Sequence, residues 1–253
     1  MLIRSTWSLS LSEAAVLPRT FGLELVKILH EKLNLEMGGE RVTSISCSGI
    51  IGSRSYGKEF FTFSTDNFCS LSLCGLNATA AKAIASLELS PTLEFLGAKF
   101  NVVHREDEVS SYEELYNNLV AIEPETVRQF NLEFITPTAF AQGRINLPLP
   151  LPNLMFRSWL EKWNYFAPVY LGSDELIGYL SNAIMIKHHR INTRSFHLPR
   201  GYIHGFMGEV KLVTLPNTDP LLANVANLLV SYGRWAGTGV KTRLGMGQTN
   251  LIS

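Results

Sequence analysis

The sequence is poor in cysteine and in charge. Only three of its 253 residues are cysteines (Cys47, Cys69 and Cys74), and only 17% are Asp, Glu, Lys or Arg. The cysteines form an odd set without Cys-x-x-Cys spacing, so we expect reduced, partly buried thiols and neither a zinc site nor a disulfide framework. The apolar fraction of 46% is ample for a packed core, which argues against an intrinsically disordered chain.

The sequence also lacks a long apolar run. Its longest stretch without a charged side chain, residues 67–81, includes Asn67, Ser70 and Asn77 and is too short and too polar for a transmembrane helix. The first residues show no basic region followed by an apolar core, so no signal peptide is evident. We therefore expect a soluble, cytoplasmic protein that has no membrane partner.

The net charge of zero is the sum of two unlike halves. Residues 1–128 carry 11 Lys+Arg and 16 Asp+Glu (11 − 16 = −5), whereas residues 129–253 carry 11 and 6 (11 − 6 = +5). Four of the six histidines lie beyond residue 183, together with eight basic residues. This asymmetry indicates an anionic partner held by the C-terminal half, with a merely solvated basic face as the alternative.

Hydrophobic periodicity predicts similar elements in a similar order in both halves. In the first half we expect strands at 2–9, 42–51, 59–65 and 68–76, one or two strands over 92–104, and helices at 18–34 and 77–87. Pro18 suits the start of the first helix, and Asn77 is a candidate N-cap for the second. The acidic residues at 106–108 and 113–114 are predicted to lie in a solvated connection.

The second half repeats the pattern. We expect strands at 130–135, 183–194 and 202–215, helices at 154–163, 174–179 and 220–232, and an extended conformation over 147–152, where alternate prolines disfavour a helix. Two β-α-β-β-α-β sandwiches in tandem fit this order. The predicted fold is therefore α+β, with two ferredoxin-like (RRM-like) domains at residues 1–125 and 126–253.

A glycine-rich segment near the C-terminus is the most specific feature. It runs from Gly237 to Gly247, and it is not a Walker loop, because Val240 and Trp235 stand where that motif needs glycine. No strand-helix unit fits behind it, so it is not a dinucleotide fingerprint. Glycines allow backbone amides to approach an anion closely, whereas a plain turn between helix and strand is the alternative.

The spacing Gly-x-Gly, five residues, Gly-x-Gly after an apolar helix resembles the glycine-rich loop of the CRISPR repeat-cleaving endoribonucleases, which belong to the repeat-associated RNA-binding (RAMP) superfamily. Weaker support comes from the sequence FITPT at 134–138, the proline run 148–152 and the GEV sequence at 208–210. The resemblance covers most of the chain. It implies two ferredoxin-like domains and cleavage of CRISPR precursor RNA within its repeats, without a metal or another cofactor.

The resemblance also implies a chemistry. In such cleavage the ribose 2′-hydroxyl attacks the adjacent phosphate and leaves a 2′,3′-cyclic phosphate, which requires a proton acceptor, a proton donor and a cation. His30 is the only histidine on the first helix, where the family commonly carries a catalytic group, and its reference pKa of about 6.5 suits proton transfer. Arg41 is the candidate cation and Lys27 a weaker one. The alternatives are an ordinary histidine at the border of the apolar stripe for His30 and a surface arginine for Arg41.

For RNA binding, the resemblance implies a basic hairpin and the glycine-rich segment. The predicted residues are Lys187, His188, His189, Arg190, Arg194, Arg200, Tyr202, Gly237, Gly239, Lys241, Arg243, Gly245 and Gly247. Phosphate contacts would supply the affinity, and Tyr202 or Phe196 would stack on an unpaired base, with core packing as the alternative for both aromatics. The glycine-rich segment is predicted either to contact RNA or to pack the two domains together.

Two functions from different classes therefore stand beside each other. The first is a metal-independent endoribonuclease whose partner is CRISPR repeat RNA. The alternative is a non-catalytic RNA-binding subunit of a CRISPR effector complex, which would also contact other subunits. Cleavage of repeat RNA in the presence of EDTA distinguishes the two. A small-molecule enzyme on a similar fold would show no salt-sensitive affinity for RNA.

Overall fold

The first half of the chain forms a five-stranded antiparallel sheet and a small second sheet. These elements come from a computed structural model, which describes residues 1–252. In chain order they are β1 (Leu2–Ser10), β2 (Ala15–Pro18), α1 (Phe21–Leu33), β3 (Ile45–Ile51), β4 (Arg54–Tyr56), β5 (Phe60–Phe63), β6 (Cys69–Gly75), α2 (Ala78–Ala85), β7 (Thr92–Phe95) and β8 (Ala98–Ser110). The large sheet has the order β3-β6-β1-β8-β7, and the small sheet has the order β2-β5-β4.

The second half forms another antiparallel sheet after a short helical connection. The connection is α3 (Tyr112–Tyr116) with a π-helical turn at Asn117–Ala121. Then follow β9 (Gln129–Thr138), β10 (Phe140–Gln142), β11 (Ile145–Leu147), α4 (Pro152–Phe166), α5 (Asp174–Ala183), β12 (Ile184–His197), β13 (Tyr202–Thr214), α6 (Pro220–Ala236) and β14 (Thr249–Ile252). The four-stranded sheet has the order β12-β13-β9-β14, and β10 pairs with β11.

Both sheets have the strand order of a ferredoxin-like sandwich. In the first sheet β1 lies between β6 and β8, and β3, the strand that follows α1, lies at an edge. In the second sheet β9 lies between β13 and β14, and β12 lies at an edge. This order arises in a β-α-β-β-α-β fold, where the second and third strands form a hairpin and each helix connects two strands that are not neighbours in the sheet. The prediction of an α+β fold with two ferredoxin-like units is therefore confirmed. The division into domains at residues 125 and 126 stays a prediction.

Local signals in the sequence place most element boundaries. The Asn77 side chain accepts a hydrogen bond from the Ala80 N–H at 2.8 Å and so caps α2 as predicted. In the same way, Asp219 accepts from the Leu221 N–H at 2.8 Å, directly before Pro220 begins α6. Pro18 does not begin α1, because it is the last residue of β2 and the helix starts three residues later.

The predicted solvated connection is wrong for residues 106–108, whereas Glu113 and Glu114 are exposed and do lie in the connection between the two halves. Residues 106–108 lie within β8, whose register with β1 pairs Glu106 with Thr6 and Glu108 with Arg4. Glu113 and Glu114 lie in α3. The backbone of β8 is satisfied by hydrogen bonds to β1, so the strand continues although its side chains are charged.

Among the described residues, no helix is long and apolar enough to cross a membrane.

Two large apolar clusters fill the two sandwiches, and the second one reaches into the first half of the chain through Leu2 and Leu76. One cluster contains α1, α2 and the first large sheet; the other contains α4, α6 and the second sheet. At their junction the buried Tyr112 hydroxyl donates to the Leu76 carbonyl oxygen at 2.8 Å and lies 3.1 Å from the Tyr232 hydroxyl. The pKa of Tyr112 is raised by burial, so this hydroxyl keeps its proton.

Candidate functional site

The glycine-rich segment is built into the second sandwich. Its four glycines all have positive φ angles, from 65° at Gly237 to 107° at Gly245. A methyl group on Gly239 would overlap the carbonyl oxygen of Ala139, and one on Gly247 would overlap that of Thr238. The backbone therefore passes where only glycine fits.

The amide groups of this segment are mostly used inside the protein. The Gly237 N–H donates to the Gly233 carbonyl at 2.9 Å, the Gly239 N–H to Ser158 Oγ at 2.8 Å, and the Gly247 N–H to the Pro137 carbonyl at 3.1 Å. These three amides are already hydrogen-bonded, so packing explains the glycines without a bound anion. Their contact with RNA stays a prediction.

The same segment touches the first sandwich. A methyl group on Gly245 would lie 3.5 Å from the Gly49 nitrogen of β3, and one on Gly22 of α1 would lie 3.0 Å from the Leu244 carbonyl oxygen. Backbone therefore approaches backbone across the junction between the two halves. The alternative role predicted for the glycines, packing the two units together, matches this geometry.

Three of the predicted cationic side chains converge beside the segment. Arg41, Lys241 and Arg243 line a cleft of about 390 Å³. Arg157 and Lys162 of α4 line it too, against two acidic residues, Glu40 and Glu161. Arg41 does not open β3, because that strand begins at Ile45 and Arg41 lies in the preceding loop. The net positive lining suits an anion such as a phosphate.

His30 lies in a neighbouring hollow at the end of α1. The helix ends at Asn34, whose left-handed conformation (φ 52°) turns the chain back, and the Leu35 carbonyl then lies 3.3 Å from His30 Nδ1. Burial and the positive charge of Arg243 lower the pKa of His30, while the Leu35 hydrogen bond and the charge of Glu40 act in the opposite direction.

The hydrogen bond also fixes the tautomer of His30. A carbonyl oxygen only accepts, so Nδ1 carries the hydrogen and Nε2 keeps its lone pair. Nε2 is buried and has no hydrogen-bond partner among the described residues. A neutral imidazole with an unused acceptor is the state that a general base requires.

Lys27 is placed less favourably. It lies one turn before His30 and lines the same hollow, but its ammonium is exposed and forms an ion pair with Glu24 at 2.9 Å. An exposed pair at this helical spacing stabilises a helix only slightly. The structure thus brings Arg41, Lys241 and Arg243 into one cleft, and leaves Lys27 beside His30 with a carboxylate partner.

The predicted basic hairpin is formed by β12 and β13, which pair along their whole length. The cations and histidines predicted to bind RNA are all exposed there: Lys187, His188, His189, Arg190, Arg194 and Arg200. None of them takes part in the ion pairs found among the described residues. Unpaired surface cations on one hairpin leave their charge available to phosphate groups.

The two aromatics of the hairpin differ. Tyr202 is 60% exposed, so the core-packing alternative is wrong for it, and its ring lies 4.8 Å from that of His204. Phe196 is half-buried and packs against Ile203 and Met246, so core packing is confirmed there. Only Tyr202 has a ring face that an unpaired base could cover.

A third cleft brings the predicted Arg194 together with two cations that the sequence analysis does not name, Arg19 and Arg54. It measures about 480 Å³, lies between the two halves, and is lined by Arg19, Arg54 and Arg194. Arg19 Nη1 lies 3.1 Å from His197 Nε2, and the Arg54 guanidinium lies 4.5 Å from the centre of the Phe61 ring. Arg19 ends up here because β2 joins the small sheet, a pairing that no local pattern signals.

Comparison with known proteins agrees with this architecture. Residues 132–249 match the family model of the CRISPR-associated endoribonuclease Cas6. A Cas6 endoribonuclease from Mycobacterium tuberculosis is 31% identical over 49% of this chain and 38% of its own length. One from Streptococcus thermophilus is 30% identical over 48% of this chain and 50% of its own length. The aligned segment thus spans no more than half the length of these two curated relatives.

The structural comparison extends over the whole chain. The solved structure of a Cas6 product complex superposes with a TM-score of 0.74 at 19% identity, covering 100% of both chains. A TM-score of this size over both whole chains establishes a shared fold of two ferredoxin-like units. The sequence match in the C-terminal half is with the same family that the glycine-rich segment resembles, the CRISPR-associated endoribonuclease Cas6 family, and it covers slightly less than half of this chain.

Proposed function

We propose that this protein is an endoribonuclease that cleaves CRISPR precursor RNA within its repeats, by attack of a ribose 2′-hydroxyl and without a metal ion. The observation that carries the proposal is His30, a neutral histidine with an unused Nε2 acceptor beside a cation-lined cleft. The endoribonuclease names of the relatives support the reaction class. The alternative, a non-catalytic RNA-binding subunit, gives no role to this tautomer.

In the proposed reaction His30 acts as the general base. Nε2 takes the proton from the 2′-hydroxyl, the 2′-oxygen forms a bond to the adjacent phosphorus, and the bond from phosphorus to the 5′-oxygen breaks. The leaving oxygen takes up a proton, so the products are a 2′,3′-cyclic phosphate and a 5′-hydroxyl. Arg41 would stabilise the additional negative charge of the pentacovalent phosphorus, since it lines the cleft as an exposed cation.

Access to His30 is a requirement of this proposal. The ring is only 5% exposed and Nε2 is covered. The hollow beside it is formed by Leu35, Glu36 and Met37, in the loop that follows α1. RNA must therefore displace part of this loop to bring a 2′-hydroxyl within hydrogen-bonding distance of Nε2.

The proposed division of labour follows the charge of the two halves. Residues 1–125 would supply His30 and Arg41, and residues 126–253 would bind the repeat RNA. The exposed hairpin cations, with Lys241 and Arg243, would contact phosphates, and Tyr202 would stack on an unpaired base. A negative first half and a positive second half are consistent with this arrangement.

The test is cleavage of repeat RNA in EDTA, with analysis of the product ends. We expect a 2′,3′-cyclic phosphate from the unchanged protein and a loss of at least about 100-fold in rate for His30→Ala, because a positioned acid or base contributes about 10²–10⁴-fold. RNA affinity should be retained. His104→Ala is the matched control, because His104 is an exposed histidine on β8 that lines none of the three clefts.

Each outcome decides between the two functions. Binding of repeat RNA without cleavage by the unchanged protein would favour the non-catalytic subunit. Cleavage that persists in His30→Ala would remove the base assignment, and cleavage that stops in EDTA and returns with a divalent ion would overturn the metal-free mechanism.

A further inference from the structure

Lys162 of α4 has a buried ammonium group with three acceptors. The side chain is only 8% exposed, and Nζ donates to the Ala236 carbonyl at 2.7 Å, to the Gly237 carbonyl at 3.1 Å and to Thr242 Oγ1 at 3.3 Å. An ammonium group has three N–H donors and no acceptor. The surroundings therefore satisfy every donor that Lys162 offers.

These acceptors lie at the two ends of one short loop. Ala236 ends α6 and Gly237 is its C-cap, whereas Thr242 begins the short 3-10 turn Thr242–Leu244. Carbonyl groups at the end of a helix are unpaired and carry partial negative charge, so a cation is favourable there. By bonding both ends, Lys162 closes the loop that contains Lys241.

The loop between these ends contains one residue in an unfavourable conformation, while other groups hold part of it: the Thr238 N–H donates to the Gly247 carbonyl at 2.8 Å and the Gly239 N–H to Ser158 Oγ at 2.8 Å. Lys241 has a left-handed backbone (φ 56°), a conformation that is unfavourable for a residue with a side chain. Its side chain is exposed, and it lines the cation-lined cleft together with Arg243. Lys162 lines the same cleft, whose acidic lining residues are Glu161 and Glu40.

Burial works against the charge on Lys162. Desolvation lowers its pKa to about 7, while Glu161 favours the charged form. Removing the ammonium would leave the Ala236 and Gly237 carbonyls and Thr242 Oγ1 without this donor, and a buried acceptor left unpaired costs about 1–3 kcal/mol. These bonds therefore offset the cost of burying the charge, and they act on the two ends of the loop.

We propose that Lys162 is a positioning residue for RNA binding, which holds residues 236–242 in the one shape that directs Lys241 and Arg243 into the cleft. This proposal rests on the proposed RNA-cleaving function, since it assumes that the two cations contact phosphates. It assigns no contact with RNA to Lys162 itself, whose donors are occupied.

The test compares Lys162→Met with the unchanged protein in two independent measurements. Methionine keeps an unbranched chain of similar length and removes all three donors. We expect amide hydrogen exchange across residues 236–247 to become at least tenfold faster. We also expect repeat RNA to bind about tenfold more weakly, with a salt slope smaller by about 1–2, as if one or two phosphates were no longer neutralised. The cleavage rate at saturating RNA should stay within about threefold.

Two further variants complete the design. Lys82→Met removes an exposed ammonium from α2 and should change neither measurement. Thr242→Val removes one acceptor with little change in shape, and we expect an effect of the same sign but smaller, which keeps the proposal testable if Lys162→Met does not fold. Equal exchange in Thr242→Val and the unchanged protein would then overturn it.

The outcomes separate this proposal from the proposed function. If the unchanged protein neither binds nor cleaves repeat RNA, the function fails, and the exchange experiment still decides whether Lys162 holds the loop. If Lys162→Met exchanges like the unchanged protein, the positioning role is overturned. If its loop exchanges faster while RNA binds with unchanged affinity and salt slope, the link between loop shape and RNA binding is overturned.

Discussion

Alanine substitution at Gly247 and at Gly143 tests whether the glycine-rich segment is held by close packing or only by its turn geometry. Both glycines have left-handed backbones, with φ of 71° and 59°. A methyl group on Gly143 would meet no atom within 4 Å, whereas one on Gly247 would overlap the Thr238 carbonyl oxygen. The two variants therefore share the conformational cost and differ in the steric overlap.

The expected magnitudes follow from this difference. The left-handed conformation costs an alanine roughly 1–2 kcal/mol, and this is all that Gly143→Ala should lose. At Gly247 the backbone must also move, which disrupts the bond from the Thr238 N–H to the Gly247 carbonyl (2.8 Å) and the bond from the Gly247 N–H to the Pro137 carbonyl (3.1 Å). With one buried group left unpaired for each of the two bonds, at about 1–3 kcal/mol each, Gly247→Ala should lose roughly 3–8 kcal/mol.

Urea denaturation followed by tryptophan fluorescence measures the free energy of unfolding of both variants. A loss of this size is a large part of the roughly 5–15 kcal/mol that stabilises a typical domain, so Gly247→Ala should unfold at a far lower urea concentration or not fold at all. Gly239→Ala should behave like Gly247→Ala, because its methyl group would overlap the Ala139 carbonyl oxygen. Equal stabilities of Gly247→Ala and Gly143→Ala would refute the close-packing argument.

Three further predictions follow from the same structure. In single-turnover assays the cleavage rate should rise with pH through the pKa of His30, which is lowered below 6.5, and level off above that pKa. The reason is that only the neutral imidazole accepts a proton. A rate that rises only above about pH 7 would contradict this prediction. Replacing Arg190 and Arg194 with Ala should reduce the salt slope of RNA binding by about 0.7–0.9 for each phosphate that is no longer neutralised, and an unchanged slope would show that these arginines do not bind phosphate. Tyr112→Phe should lower the free energy of unfolding by about 1–3 kcal/mol, because it leaves the buried Leu76 carbonyl without its hydrogen-bond donor; denaturation that is unchanged within error would show that another group replaces it.

Local chemistry accounts for the elements that were predicted correctly. The apolar stripe of α1, the Asn77 cap of α2 and the Asp219-Pro220 start of α6 all act within one or two turns of chain, so their signals are visible in the sequence. The hairpin of β12 and β13 is another local feature, since its strands are joined by a short turn. The start of α1 was placed too early, because a proline suits the end of a strand as well as the start of a helix.

Long-range pairing accounts for the elements that were missed. The acidic residues of β8 look like a solvated connection until β1, about one hundred residues away, provides hydrogen-bonding partners for their backbone. The pairing of β2 with β5 is of the same kind, and through this small sheet Arg19 and Arg54 come to line one cleft. Neither placement has a local signal, because strand partners are chosen by packing over the whole fold.

Periodicity, charge and glycine spacing are properties of the chain, so the repeated order of elements, the negative and positive halves and the resemblance to the CRISPR endoribonucleases are visible in the sequence. How the site residues are held depends on tertiary contacts. The tertiary structure gave the glycines a packing role through their close approach to Ala139 and Thr238, and it fixed the His30 tautomer through the Leu35 carbonyl. It also revealed Lys162 as the group that closes the loop. Burial and hydrogen-bond partners depend on residues far apart in the chain, which is why no local pattern contains them.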